Sequence, residues 1–261
     1  MRTELGWADS RVPAALHQVG DCHPLVHCLT NIVVAQFTAN VLLAVGASPA
    51  MVENAEESGV FPAVAAAVLV NLGTLSAERE VAMRAAAVSS DKNGRPWVLD
   101  PVAVGVLAHR TAFAVDLLEL RPAVVRANAS EVMSLAGAEV AGRGVDSLAQ
   151  SEEALDAAKV LARARHCVVA TSGAVDYVTD GTDVVEIPGG SPLLTRVTGT
   201  GCALGALVAA MVAVDSDVLF AAAAASAVFK VAGERAARGR PGLGTFAVSL
   251  MDVLGSMESP R

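Results

Sequence analysis

Aromatic side chains are scarce in this sequence. They make up 3% of 261 residues although 53% are hydrophobic, so the core must be aliphatic, and Ala-rich helices can pack closely in it. Excess positive charge is also missing, since the formal net charge is -8. That argues against a general nucleic-acid or membrane-surface role. It leaves room for a nucleotide held by a few N–H groups and one Arg. The four cysteines, Cys22, Cys28, Cys167 and Cys202, form neither a C-x-x-C pair nor a zinc spacing. Pro24 makes a helix joining His23 to His27 unfavourable, so a structural metal site is not expected. Free thiols point to a reducing compartment, here read as the cytoplasm. No apolar run is long enough for a membrane span, which needs roughly 20 residues. Cys202–Val214 stops at Asp215-Ser216-Asp217 before Val218–Phe229 begins. The opening MRTELGWADSRVP lacks an apolar signal core, so no secretory signal is expected. No repeat, low-complexity tract or linker divides the chain. One domain over residues 1–261 is expected, large enough to bury a substantial core.

Short apolar runs alternate with helical patterns along this chain. Strands are expected at Leu25–Leu29, Trp97–Leu99, Ala123–Arg126 and Cys167–Thr171, and Val64–Val70 reads as a buried strand or a helix leading into one. Helices are expected near Pro13–Val19, Val33–Val45, Ser76–Ser89, Thr111–Glu119 and Ser151–Arg165. Thr30 or Asn31, Ser76, Thr111, and Asn128 or Ser130 are the candidate caps. Tyr177–Thr179 and Val184–Ile187 flank Asp180-Gly181-Thr182-Asp183, a hairpin signal that suggests an antiparallel edge. The alternation predicts an α/β fold with a mainly parallel central sheet flanked by helices. Ligands of such sheets bind beyond the strand C-termini. Thr30-Asn31, Asp100, Arg126 with Asn128 and Glu131, and Ser172-Gly173 all fall at those ends.

Val197-Thr198-Gly199-Thr200-Gly201-Cys202-Ala203-Leu204-Gly205 organises these elements. Its glycines permit a tight turn and close approach to a ligand. The Ala, Leu and Val run that follows is strongly helix-forming. A glycine turn opening a helix offers unpaired N–H groups and partial positive charge, which suits a phosphate. Gly199, Thr200 and Gly201 are therefore a candidate anion hole, with Cys202 facing the same spot. The plainer alternative is a packing turn beside a small core hydrophobe.

Eight stretches run in order through nearly the whole chain: PLVHCLTN (Pro24–Asn31), FTAN (Phe37–Asn40), GASPAM (Gly46–Met51), LDPVAVG (Leu99–Gly105), NASE (Asn128–Glu131), GRGVDS (Gly142–Ser147), DYVTDG (Asp176–Gly181) and VTGTGCALGA (Val197–Ala206). With these motifs the chain resembles the hydroxyethylthiazole kinases, the thiazole-salvage enzymes of thiamine biosynthesis. The resemblance implies a ribokinase-like fold and ATP- and Mg2+-dependent phosphorylation of 4-methyl-5-(2-hydroxyethyl)thiazole at its hydroxyl. It also implies a homotrimer with active sites at subunit contacts. By the same resemblance Met51 and Gly199 contact the substrate, Arg126 and Ser172 contact ATP, and Cys202 is the residue at the catalytic position. Asn31 and Val33 complete the expected thiazole pocket, and Asn128 the ATP side. Asp100 and Glu131 are the candidates for magnesium and its water shell, since magnesium takes one or two carboxylates and keeps several waters. Glu131 also reads as a first-turn acid, and Asp100 as a strand terminator. Two positions depart from the family pattern. Ala127 stands where many members have Gly, which would be strained at positive φ, and Ser172 replaces the commoner Thr.

A thiol is an unusual base, with a free pKa of about 8.5 that a helix N-terminus lowers. A loose phosphoryl-transfer transition state needs little deprotonation of the nucleophile, so Cys202 would position the hydroxyl more than ionise it. Three alternatives remain open at this point. They are a kinase of the same fold acting on another small alcohol such as hydroxymethylpyrimidine, a cysteine-nucleophile enzyme needing a His base, and a non-catalytic nucleotide or thiazole sensor.

Overall fold

The computed structural model describes residues 1–137, 152–239 and 242–258, and the GRGVDS stretch at 142–147 lies outside them. Its strands are β1 (Arg2–Glu4), β2 (Leu25–Leu29), β3 (Ser48–Ala50), β4 (Ala67–Asn71), β5 (Trp97–Asp100), β6 (Val124–Asn128), β7 (Val168–Ser172), β8 (Asp176–Thr179) and β9 (Val184–Ile187). Its helices are α1 (Arg11–Cys22), α2 (Ala35–Ala44), α3 (Ala55–Ser58), α4 (Ala77–Lys92), α5 (Ala108–Leu118), α6 (Ala129–Leu135), α7 (Leu155–Arg165), α8 (Thr200–Val214), α9 (Val218–Ala236) and α10 (Leu243–Glu258). The strands form one sheet in the order β1-β9-β8-β7-β6-β5-β4-β2-β3. Every pairing is parallel except those made by β8. The expected mainly parallel α/β sheet is present.

Alternate residues of the strands feed two cores. In β4, Ala67 and Leu69 join the core under α1, α2, α8, α9 and α10, while Val68 and Val70 join the core under α4 to α7. This is the period-two geometry of a strand covered on both faces, and it explains why these strands read as continuous apolar runs. Helix α8 is buried on almost every side, including Ala203–Val212, because it lies on β4 and β5 with α2 and α9 packed against it. Small side chains allow that approach, and Ala221–Ala225 of α9 are all fully buried.

The chain leaves β2 outward to β3 and then returns to β4 on the other side of β2. The strand order reverses there, and the crevice beyond the strand C-termini is the place where open sheets of this kind hold ligands. Helix α8 starts at its rim.

Several local expectations are corrected. The hairpin β8–β9 is present, but it is not the edge, because β1 pairs parallel to β9 outside it. β1 is three exposed residues and carries no apolar signal. Thr111 does not cap α5, which starts three residues earlier; its hydroxyl accepts from Gly105 N at 2.8 Å and donates to Leu107 O at 2.9 Å. Neither Thr30 nor Asn31 caps α2, which begins at Ala35 without a side-chain cap. Asn128 does cap α6, with a full capping box to Glu131, and Ser76 caps α4.

The concern over Ala127 is resolved by its place in β6. It is not among the residues at positive φ, and it is fully buried, paired with Thr171 of β7. Its methyl therefore packs without backbone strain. Ala127→Gly is expected to destabilise the protein by about 1 kcal/mol, through lost burial and a floppier unfolded chain. A denaturant midpoint at or above the parent's would refute this.

Candidate active site

Parallel register brings three strand ends together at the reversal of strand order. Asn71, last in β4, pairs with Asp100, last in β5. Asn31 follows β2 by two residues. A row of amides links them. Asn31 Nδ2 donates to Asn71 Oδ1 at 2.9 Å, and Asn71 Nδ2 donates to Asp100 Oδ2 at 2.8 Å. Asn31 Nδ2 also donates to Cys202 Sγ at 3.4 Å, so the row ends on the first turn of α8. Asn31 Oδ1 accepts from Val33 N at 3.1 Å, which turns the chain into α2. Asn71 had no motif to mark it; in the sequence it only bounds an apolar run, and parallel pairing alone places it beside Asp100.

Helix α8 begins at Gly199, whose φ of 95° and ψ of -7° lie in the left-handed region. No side chain caps this end, and its first-turn amides have no helical partner. Thr200 contributes only its amide, because its hydroxyl turns inward to Leu194 O at 2.6 Å. Gly201 has no Cβ, and one placed there would meet Arg126 Nη1 at 2.8 Å. The guanidinium thus rests against the helix start. Arg126 is not left as a solvent-exposed charge at the strand end. Its side chain is 11% exposed, Nη2 donates to Ser172 Oγ at 2.7 Å, and Nη1 lies 3.8 Å from Asp100 Oδ2.

Asp100 is fully buried, and its Oδ1 has no hydrogen-bond partner. Burial pushes its carboxyl up to about 7, against the pull of Arg126, with Glu131 adding to the rise. Glu131 is occupied at both oxygens: Oε1 accepts from Ala103 N at 2.9 Å and Oε2 from Asn128 N at 2.8 Å. It closes the capping box and holds the Asp100–Gly105 turn, where Ala103 sits at a φ of 63°. Asn128 Oδ1 is likewise occupied by Glu131 N and the Ser130 hydroxyl.

Burial raises the Cys202 thiol, and nearby Asp100 raises it further, which outweighs the hydrogen bonds from Asn71 and Asn31 and the attraction of Arg126. The expectation that the helix start lowers it is overturned, because the sulfur is desolvated beside a carboxylate. Its hydrogen-bond partner is an amide and not a His, so the geometry gives a cysteine nucleophile no base. Cys28 and Cys167 are core residues, and burial pushes both thiols up to about 12.

Met51 follows β3, half-buried at the rim, and Val33 is 65% exposed. Their segments are tied together by Arg79 of α4, which reaches both the Thr30 carbonyl and the Glu53 carboxylate. The contacts above link Asn31, Asp100, Arg126, Ser172, Gly201 and Cys202, and join Asn128 to Glu131, while Val33 and Met51 lie on the segments that leave β2 and β3. Among the described residues no group of three or more His, Cys, Asp or Glu is placed to hold a metal by itself. No helix among them is long and apolar enough to cross a membrane.

The family model described as the Hydroxyethylthiazole kinase family matches residues 16–259. A hydroxyethylthiazole kinase of Klebsiella pneumoniae (strain 342) is 56% identical over 231 residues, covering 88% of this chain and 90% of that one. The solved hydroxyethylthiazole kinase of Pyrococcus horikoshii OT3 superposes with a TM-score of 0.87 at 38% identity, over 94% of this chain and 93% of that one. A ribokinase-like superfamily protein from Enterococcus faecalis V583 superposes at a TM-score of 0.69 and 11% identity, over 99% and 97% of the two chains, and so shares the ribokinase-like fold. Match, identity and superposition each span nearly the whole chain, and on them this protein belongs to the hydroxyethylthiazole kinase family.

Proposed function

We propose that the chain, as one domain over residues 1–261, transfers the γ-phosphoryl group of ATP to the primary hydroxyl of 4-methyl-5-(2-hydroxyethyl)thiazole, for thiamine biosynthesis. The observation that carries this reading is the uncapped start of α8, with Arg126 against it and Cys202 beside it. Phosphoryl transfer is mainly positioning and charge neutralisation, and these are the groups for both. The amides of Gly199, Thr200 and Gly201, with Cys202 facing the same spot, receive the charge that develops on the transferring group. Arg126, steered by Ser172, binds the ATP phosphates, with Asn128 on the same side. Asn31, Val33, Met51 and Gly199 form the thiazole pocket, where the Met sulfur suits a polarizable ring.

Asp100 is the residue fitted to magnesium, since Oδ1 is buried and unpartnered; Glu131 keeps its backbone bonds and would act through the water shell. When bound, the ion neutralises phosphate oxygens. Asn71 keeps Asp100 turned toward the crevice, and Asn31 keeps the Cys202 sulfur in place. Burial and the neighbouring Asp100 raise the thiol, which supports orientation of the substrate hydroxyl over its ionisation. Cys202→Asp, with an acceptor better suited to the leaving proton, is expected to retain or raise kcat. Loss of turnover in a folded variant would refute it.

We also propose a homotrimer in the cytoplasm. Ile32 is 72% exposed and Val33 65%, directly beside Asn31, an apolar rim that a neighbouring subunit would cover. The test of function is ATP-dependent transfer to hydroxyethylthiazole, with hydroxymethylpyrimidine in parallel and EDTA as control. Transfer to the thiazole alone, abolished by EDTA, is the expected result. Transfer only to the pyrimidine would overturn the substrate, and no transfer to either would overturn the reaction.

A further inference from the structure

Lys230 lies in the middle of α9 and is only 7% exposed. Its Nζ donates to three backbone carbonyls, Gly173 O at 3.0 Å, Ala174 O at 2.9 Å and Gly189 O at 3.1 Å. Asp176 Oδ1 lies 3.2 Å away and is itself buried. Three carbonyls and one carboxylate around a dehydrated positive charge are a cation cage, in which oxygens replace the hydration shell. Here the cation is the end of a side chain. No surface role explains a buried lysine spent this way, since a lysine reaches full burial only when its charge is answered.

The cage joins two segments distant in sequence. Gly173 and Ala174 follow β7, and Gly189 follows β9. Asp176 Oδ1 also accepts from Gly173 N at 2.8 Å, so the first segment is held at both its amide and its carbonyl. One turn further along α9, Glu234 Oε1 accepts from Gly190 N at 2.7 Å and holds the second segment as well. The first segment begins at Ser172, which takes the hydrogen bond from Arg126, and Arg126 rests on Gly201. The cage is therefore one residue from the groups assigned to the ATP phosphates.

We propose that Lys230 is a positioning residue for the nucleotide, its ammonium occupying a cage that would otherwise take a small monovalent cation. The inference rests on the kinase reading above. It makes the parent enzyme indifferent to added monovalent cations, and it makes nucleotide binding cation-dependent once the cage is emptied.

Lys230→Ala tests this, with ATP binding measured calorimetrically and KM measured for both substrates in buffer free of small monovalent cations. The ATP Kd is expected to rise about tenfold or more, with the thiazole KM held within about twofold. Ammonium or potassium chloride should recover much of the ATP affinity, and tetramethylammonium, too large for the cage, should recover none. The parent should respond to none of them. An unchanged ATP Kd in the folded variant would overturn the assignment. So would a parallel rise for both substrates with no response to ammonium or potassium, the mark of general damage.

If Lys230→Ala does not fold, Lys230→Met combined with Asp176→Asn removes both buried charges together, an exchange that often leaves stability unharmed. That pair should fold and still bind ATP weakly, and parent-like affinity in it would sink the idea. Turnover by the parent alongside an unaffected variant would overturn only the role of Lys230. Absence of ATP binding by the parent would overturn the kinase reading and this inference with it.

Discussion

Gly199→Ala is expected to lower kcat/KM by about a thousandfold or more while leaving the chain folded. Two effects act at one atom. The residue sits at a φ of 95°, where a non-glycine side chain costs about 1–3 kcal/mol. The new methyl would also stand 2.5 Å from Val34 Cγ1 and 3.0 Å from Val34 Cβ. Overpacking of that kind costs about 1–3 kcal/mol more, within the 5–15 kcal/mol a domain of this kind holds. The strain relaxes only by moving the turn, and the turn sets the direction of every first-turn amide of α8. Removing a single such donor costs a factor of about 10²–10³ in an oxyanion hole, and here several move together. Coupled detection of ADP release reads the loss, and circular dichroism confirms the fold. Activity within about tenfold of the parent in a folded variant would remove the anion hole from the mechanism.

Asp100→Asn should move stability and activity in opposite directions. Burial raises this carboxyl from 3.8 to about 7, with the attraction of Arg126 already included in that balance. The folded protein then holds the Asp100 proton more tightly than the unfolded chain does. The stabilisation this gives is complete below about pH 4 and is lost as pH rises toward 7, where the ionised group costs a few kcal/mol at most. Asn is a neutral isostere and keeps an oxygen for Asn71 Nδ2. In EDTA at pH 8 the variant is expected to melt several degrees higher, for a gain of about 2 kcal/mol. The advantage should vanish as pH approaches 4. Turnover with magnesium should nevertheless fall by about a hundredfold or more, because the charge that is costly in the fold is the one the phosphate site uses. A lower melting point than the parent's at pH 8, or turnover within about tenfold, would reject this account.

Asn71 and Lys230 show where reading along the chain stopped. Each is an ordinary residue in its local pattern, one at the end of an apolar run and the other inside an Ala-rich helix. Their importance comes from partners 29 and 40 positions away in the site (Asp100 and Asn31) and from carbonyls 41 to 57 positions away in the cage. Glu131 was visible as a candidate ligand and as a first-turn acid, and the tertiary contacts added its second bond, to Ala103 N, which ties the Asp100 turn to α6.

Local regularities carried far on their own. Alternating apolar runs and helical stretches determined a layered α/β sheet, since a strand covered on both faces must be apolar throughout. The glycine pair before an apolar helix marked a candidate anion-binding turn, because backbone freedom and unpaired amides are properties of a few adjacent residues. The ordered motifs determined the family. Tertiary structure alone decided the rest. It set the strand order that lays Asn71 between Asn31 and Asp100, the burial that raises the Cys202 thiol, the extended backbone at Ala127, and the oxygen cage that Lys230 fills. Those features depend on which surfaces lose water and which distant strand ends meet, and neither is a property of any short stretch of chain.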